Sequence, residues 1–159
     1  MFRRHPLAIA YSAVFALMLL FVAAMPVVAE EGVFEPLSIT TASGRHDFQV
    51  EVMRTDDEQE RGMMFRRSLA DDKGMLFPFK EAQVATFWME NTYVSLDMIF
   101  INADGTVHRI EKRAEPLSTR TISSGAPVLA VLEVIAGTAD RLGIRPGDKV
   151  AYPLFKAQQ

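Results

Sequence analysis

Two carboxylates lie within runs of apolar residues, where burial of an acid is costly. Asp97 belongs to LDMIFI (96–101), and Glu133 belongs to VLAVLEVIAG (128–137). If both segments are strands, the neighbours on each acid's own face and on the opposite face are apolar. Acids are almost never fully buried without a partner. We therefore expect Asp97 and Glu133 to belong to a buried polar cluster at the edge of a pocket.

Three further residues complete the predicted pocket. Arg61 lies on a short predicted helix, and its guanidinium is the partner that we expect for Asp97, because an arginine would keep that carboxylate charged. Trp88, the only tryptophan, and Asn91 offer an aromatic wall with a polar tip. The candidate ligand-binding residues are therefore Arg61, Trp88, Asn91, Asp97 and Glu133.

These residues fit two kinds of function. The favoured one is a non-catalytic binding module whose polar pocket surrounds Trp88, Asp97 and Glu133. The alternative is a small hydrolase in which Asp97 and Glu133 act as general acid and base. Whether the protein is an enzyme stays open, and the separation of the two carboxyls decides between the two hypotheses.

A second alternative comes from the methionines. All six that follow the N-terminal segment lie close together in the chain, and thioethers bind Cu(I), so a copper-handling protein is a third hypothesis. Methionine also fills gaps in apolar cores, and we expect that packing role here. The chain has no cysteine and only His46 and His108 after residue 29, which opposes thiolate or multi-histidine sites. We expect no metal and no cofactor. The methionines are Met53, Met63, Met64, Met75, Met89 and Met98.

The first half of the chain predicts a hairpin, a helix and two strands. The hairpin turns at ASGR (42–45), with alternating polar and apolar residues after it. Thr55 and Glu58 have the spacing of a capping box, which predicts a short helix over about 56–64. KGMLFPF (73–79) predicts a strand that ends at Pro78, and VATFWME (84–90) predicts a separate strand.

The second half predicts more strands around short turns. LDMIFI and TVHRIEKRAE (106–115) flank the hairpin signal ADGT, and VLAVLEVIAG is a further strand. PLSTRTISSGAP (116–127) is predicted to be a loop, TADRLGI (138–144) a short helix, and KVAYPLF (149–155) a final strand. The sum is an α+β fold: a compact β-rich single domain, with a mostly antiparallel sheet or small barrel and two short helices.

The N-terminus predicts export. Arg3 and Arg4, an apolar stretch and small residues before Glu30 are typical of a signal peptide over residues 1–29, followed by a single domain over 30–159. An uncleaved membrane anchor is the alternative, because the apolar stretch approaches the length of a membrane span. Cleavage predicts a periplasmic or extracellular protein that does not contact the membrane.

Charge limits the partners of the cleaved chain. Without Arg3 and Arg4, the 17 basic residues fall to 15 against 20 acidic ones, a net charge of −5. Such a domain is a poor candidate for binding nucleic acid, which requires a clustered basic surface. The partner that we expect is a small molecule or a component of the cell envelope.

Several long motifs resemble, in order, those of domain-of-unknown-function family 192. They are ERGMMFRRSL (60–69), GMLFPF (74–79), FWMENTYVSLDMIFINADG (87–105), VLEVIAG (131–137) and GIRPGD (143–148). The resemblance covers about residues 46–153 and implies a compact β-rich α+β domain of unassigned biochemical function that is often exported in bacteria.

The resemblance also implies which positions belong to the family motifs. The family's usual basic residue after Trp-Met is Glu90 in this chain. A role that requires a cation at that position does not transfer. The implied motif positions are Glu60, Arg61, Gly62, Gly74, Phe77, Trp88, Met89, Asn91, Thr92, Leu96, Asp97, Asp104, Gly105, Glu133 and Gly137.

Overall fold

The computed structural model describes residues 33–156, which form a β-rich α+β domain. The proposed signal peptide, residues 1–29, lies outside the described residues. Within 33–156, no helix is long and apolar enough to span a membrane. The strands are β1 (Phe34–Thr41), β2 (Gly44–Val52), β3 (Lys73–Phe87), β4 (Leu96–Ile101), β5 (Val107–Ala114), β6 (Ile122–Ile135) and β7 (Lys149–Ala151). The helices are α1 (Asp56–Arg61), α2 (Thr138–Leu142) and α3 (Pro153–Lys156).

The seven strands form one curled sheet in the order β5-β4-β6-β3-β2-β1-β7. Every pair is antiparallel except β2 and β3. The sheet curls into a half-barrel, and its two edges meet at one end, where the N–H of Val107 donates to the carbonyl of Asp148 at 2.8 Å. The predicted fold class, a mostly antiparallel sheet or small barrel, is confirmed.

The β3 strand corrects the predicted break at Pro78. It is one strand of 15 residues rather than two strands, and its pairing with β6 shifts between Pro78 and Gln83. Residues 79–82 therefore form a bulge, because Pro78 pairs with Ala130 while Gln83 pairs with Val128. Proline is tolerated in a sheet at such irregular positions.

Two other boundaries differ from those predicted. The segment predicted as a loop over 116–127 enters β6 at Ile122, so β6 is 14 residues long. The final strand ends at Ala151, and Pro153 begins the short helix α3. Proline suits the first turn of a helix because the missing N–H would have no partner there. The chain therefore has three short helices among its described residues, where two were expected.

The short helix α1 forms as the sequence predicts. Thr55 accepts from the N–H of Glu58, and the Glu58 carboxylate accepts from the N–H of Thr55, which completes the capping box. Gly62 ends the helix with a positive φ of 41°, and a Cβ there would lie 3.0 Å from the ring of Phe77. The Gln59 amide donates to the carbonyls of Met53 and Pro78, so α1 is fixed against β3.

The sheet separates two apolar clusters. One face of the sheet, the first face, packs against α2, α3 and the barrel-closing turns. Its residues include Val50, Leu76, Leu132 and Ile99. The other, the second face, packs against the segments around α1 and around residues 88–95. Because side chains alternate along each strand, every residue of a central strand belongs to one of these faces.

Candidate functional site

Asp97 and Glu133 are both buried, as the sequence predicts, but they point to opposite faces. Asp97 pairs across the sheet with Val134, and Met98 pairs with Glu133. Directly paired residues share a face, so Asp97 lies on the first face and Glu133 on the second. The two carboxyls therefore share no cleft, and an acid–base pair made of these two residues has no geometric basis.

Asp97 is held by backbone N–H groups and not by Arg61. Its Oδ1 accepts from the N–H of Arg113 at 2.9 Å, and its Oδ2 accepts from the N–H of Ala139 at 2.8 Å. Ala139 lies in the first turn of α2, whose N-cap, Gly137, has no side-chain hydrogen bond. Asp97 thus serves as the capping acceptor for a helix far away in sequence, and it joins β4, β5 and α2.

The predicted Asp97–Arg61 pair is therefore wrong. Arg61 is exposed at the end of α1, which packs on the second face. The prediction failed because β-strand alternation shows that an acid is buried but does not show which side of the sheet supplies its donors. Peptide N–H groups satisfied Asp97 where a guanidinium was expected.

Glu133 is the buried acid without a partner. It is 4% exposed, and its Oε2 has no hydrogen-bond partner among the described residues. Burial raises the pKa of the Glu133 carboxyl to about 8, so the side chain is mostly neutral at pH 7. Its direct cross-strand neighbours are Met75 on β3 and Met98 on β4. These neighbours supply neither charge nor a strong hydrogen-bond donor.

Glu133 lines a cavity of about 420 Å³ that opens beside α1. This volume lies within the range of small-molecule sites. Aromatic side chains, including the half-exposed Trp88, form much of the wall. The β3 bulge contributes because it carries the wall outward after Pro78. The lining residues are those of 59–64, together with Phe77, Phe79, Gln83, Val84, Ala85, Thr86, Phe87, Trp88, Thr92 and Glu133.

The cavity unites only some of the predicted site residues. Arg61, Trp88 and Glu133 line it, whereas Asp97 and Asn91 do not. Asn91 is exposed with a positive φ of 56°, and its carbonyl accepts from the N–H of Phe65 at 2.8 Å, which is a role in loop geometry. Trp88 therefore forms part of the cavity wall without the polar tip that was predicted from Asn91.

Sequence reasoning missed the residues that follow Pro78. Phe79, Gln83 and Thr86 line the cavity because the bulge redirects them. The proline inside an apolar, strand-like run was the available signal, since proline in a sheet is typical of a bulge or an edge.

The methionines pack in the apolar cluster of the second face. Five of the six are buried, and Met64 is half-buried at the cavity wall. Within residues 33–156, no group of three His, Cys, Asp or Glu side chains is placed to hold a metal ion. The contacts seen are those of gap-filling side chains.

Replacing Asp97 tests its role as a double acceptor. Asp97→Asn retains one acceptor oxygen and turns an amide N–H₂ toward a backbone donor, so we expect a loss of about 1–3 kcal/mol in unfolding free energy. Arg61→Met should leave the unfolding free energy unchanged. Chemical denaturation compares both variants with Asp72→Asn, an exposed control. An Asp97→Asn variant as stable as Asp72→Asn would contradict the assignment.

Glu133 predicts a specific pH dependence of stability. Its folded pKa lies above its unfolded value, so the folded state holds an extra proton between about pH 4.5 and 8. The unfolding free energy of the wild type should therefore fall relative to Glu133→Gln as pH rises through this window. The slope should approach about 1.4 kcal/mol per pH unit and level off above pH 8.

Denaturation series from pH 5 to 9 measure this difference, with Glu115→Gln as an exposed control. Parallel curves for the wild type and Glu133→Gln would show that Glu133 is not a buried neutral acid. Glu115→Gln should run parallel to the wild type across pH 5–8.

Comparisons with known proteins support the family that the motifs resemble. The chain matches the model of family DUF192, described as "Uncharacterized ACR", over residues 38–152. No curated protein matches.

Two solved structures are similar over most of their length. One, from Sinorhizobium meliloti 1021, is provisionally described as a transcription regulator; it is 46% identical, with a TM-score of 0.72 over 74% of this chain and 92% of that one. The other, from Novosphingobium aromaticivorans DSM 12444, is a protein of unknown function; it is 44% identical, with a TM-score of 0.75 over 82% of this chain and 91% of that one. Family model, motifs and fold agree: the chain belongs to the DUF192 family.

Proposed function

We propose that the protein is a non-catalytic binding module that takes a small ligand in the cavity in front of Glu133. The supporting observation is a nearly fully buried carboxyl, without a partner among the described residues, at the wall of a cavity lined by both aromatic and polar side chains. A buried polar group without a hydrogen bond costs stability. A ligand that supplies the missing hydrogen bond would recover that cost.

The cavity has the composition of a binding site. Apolar and aromatic walls bury the body of a ligand, and a few polar groups fix its orientation. Two buried polar residues, Glu133 and Thr92, line this cavity, and the Thr92 hydroxyl donates to the carbonyl of Glu90. Gln59, Glu60 and Arg61 lie on the α1 side. The Gln59 amide is already engaged with two carbonyls, which fixes the wall that α1 contributes.

The hydrolase alternative is not adopted, because it depended on Asp97 and Glu133 facing one cleft. The copper alternative is not adopted either, because the buried methionines pack among apolar side chains. The description of the S. meliloti structure as a transcription regulator is not carried over. Beyond residue 29 the chain carries five more acidic than basic residues, which opposes binding to DNA.

Fragment binding tests the cavity directly. We expect small aromatic fragments at millimolar concentration to shift the amide resonances of residues 59–64, 83–88 and 133 in ¹⁵N-labelled protein. Thr86→Trp should abolish these shifts by filling the cavity at an exposed wall position. Thr119→Trp, an exposed position outside the cavity, should preserve them. Absence of shifts at the cavity amides, or shifts that persist in Thr86→Trp, would refute the proposal.

We further propose that binding occurs outside the cytoplasm, on the strength of the N-terminal sequence. The intact mass of the protein recovered from the cell envelope should correspond to a chain that begins at Glu30. A mass that retains residues 1–29 would instead support the membrane-anchor alternative.

A further inference from the structure

Three glutamates lie in one row across the second face. The strand registers align Glu111 on β5, Met98 on β4, Glu133 on β6, Met75 on β3 and Glu51 on β2. Each residue is the direct cross-strand neighbour of the next, so their side chains project from the same side of the sheet. The row alternates glutamate and methionine, with Glu133 at its centre.

The two outer glutamates have arginine partners. Glu51 binds Arg66 through two hydrogen bonds of 2.5 and 2.6 Å, a bidentate pair. Glu111 accepts from Arg120 and Arg109, each at 2.7 Å, and the Arg120 hydrogen bond holds the pKa of Glu111 below its usual value.

The central glutamate has no such cation. Ion pairs within residues 33–156 include both outer glutamates but not Glu133. The cavity lies beside the Glu133 carboxyl, where a paired cation would be. Each outer glutamate of the row therefore has a guanidinium beside it, whereas the central glutamate, Glu133, has a cavity in that place.

The charged groups around Glu133 would not neutralise its carboxylate, so an added cation could pair with it. Its neighbours on β3 and β4, Met75 and Met98, are uncharged. From α1, the exposed Glu60 and Arg61 also line the cavity, and their charges oppose each other. Ionised Glu133 would thus give the cavity a net negative charge.

The walls also suit a cation. Four aromatic side chains line the cavity, among them Phe77 and Phe87, whose rings meet edge to face with centroids 5.2 Å apart. Aromatic faces attract ammonium and guanidinium groups, most strongly where water is excluded. Trp88, about half-exposed, offers the largest such surface at the cavity.

From this geometry we infer that the ligand is an organic cation with N–H donors, such as a primary amine, whose ammonium group pairs with Glu133. This inference rests on the proposed function. The N–H donors are required because the buried Oε2 of Glu133 has no donor in the described part of the chain, and a quaternary ammonium cannot supply one.

Binding of such a cation is coupled to proton release. Free Glu133 holds its proton below about pH 8, and the ammonium pairs with the carboxylate, so the carboxyl proton passes to solvent when the ligand binds. The affinity for an amine should therefore rise with pH up to about 8. A neutral alcohol of the same shape can bind the protonated carboxyl, and its affinity should not rise.

The experiment compares amines with alcohols of the same skeleton: n-butylamine, 2-phenylethylamine and tryptamine against n-butanol, 2-phenylethanol and tryptophol. Kd is measured by amide shift titration at pH 6.5 and 8.0. We expect at least one amine to bind on the order of tenfold more tightly at pH 8.0 than at 6.5, as expected for ionisation of a group with a pKa of about 8. No alcohol should show this gain.

Variants locate the cation. Glu133→Gln should remove the pH-dependent gain, whereas Glu115→Gln, exposed and outside the cavity, should retain it. Loss of the gain in Glu60→Gln but not in Glu133→Gln would place the cation at the exposed side and overturn the inference. The inference would also be overturned if the amines bound no more tightly than the alcohols, or if the Kd of the amines did not depend on pH. If alcohols and amines alike shift the cavity amides and no amine gains affinity between pH 6.5 and 8.0, the cavity binds ligands and only the cation inference fails; if no compound shifts them, the proposed function fails as well.

Discussion

The structure depends on the side-chain alternation of three adjacent strands, β4, β6 and β3. All six residues of β4 are buried, and so are the residues of β6 from Val128 to Val134, so both faces of the sheet are covered. The antiparallel register of β4 and β6 then determines the face on which each polar residue lies. A shift of one residue in β6 would move Glu133 into the cluster of the first face, and a shift of one residue in β4 would move Asp97 away from α2.

Asp97 and Glu133 are both buried carboxyls, but their surroundings compensate for burial differently. Asp97 is satisfied by two peptide N–H groups, so its carboxylate holds β4, β5 and α2 together without a counter-charge from a side chain. Within residues 33–156, Glu133 has neither N–H donors nor a cation beside it, and burial keeps it mostly neutral at pH 7. A buried acid with a strongly raised pKa beside a cavity is a feature typical of functional sites. We therefore assign Asp97 to the fold and Glu133 to the proposed binding site.

Local patterns were enough to predict most of the fold and the burial of both acids. Period-2 alternation, the Thr55–Glu58 capping box and the ADGT turn depend on residues close in the chain, and each formed as expected. The partner of Asp97 and the glutamate row depend on strand order and register, which neighbouring residues do not encode. The bulge after Pro78 had a local signal, but its consequence for the cavity wall required the pairing of β3 with β6. Of the predicted site residues, Arg61, Trp88 and Glu133 line the cavity of the candidate site, whereas Asp97 and Asn91 do not.

We propose that Glu133 is a neutral buried acid in the free protein and that a ligand in the cavity supplies its partner. The direct measurement is the ¹³C chemical shift of the glutamate side-chain carboxyls across pH 3–10, with the Glu133 resonance assigned by its loss in Glu133→Gln. We expect this carboxyl to titrate at about pH 8 in the free protein, far above the usual pKa of a glutamate. Titration of Glu133 near the usual glutamate pKa of about 4.3 would contradict a neutral buried acid, because it would mean that the carboxyl is solvated or paired in the folded protein.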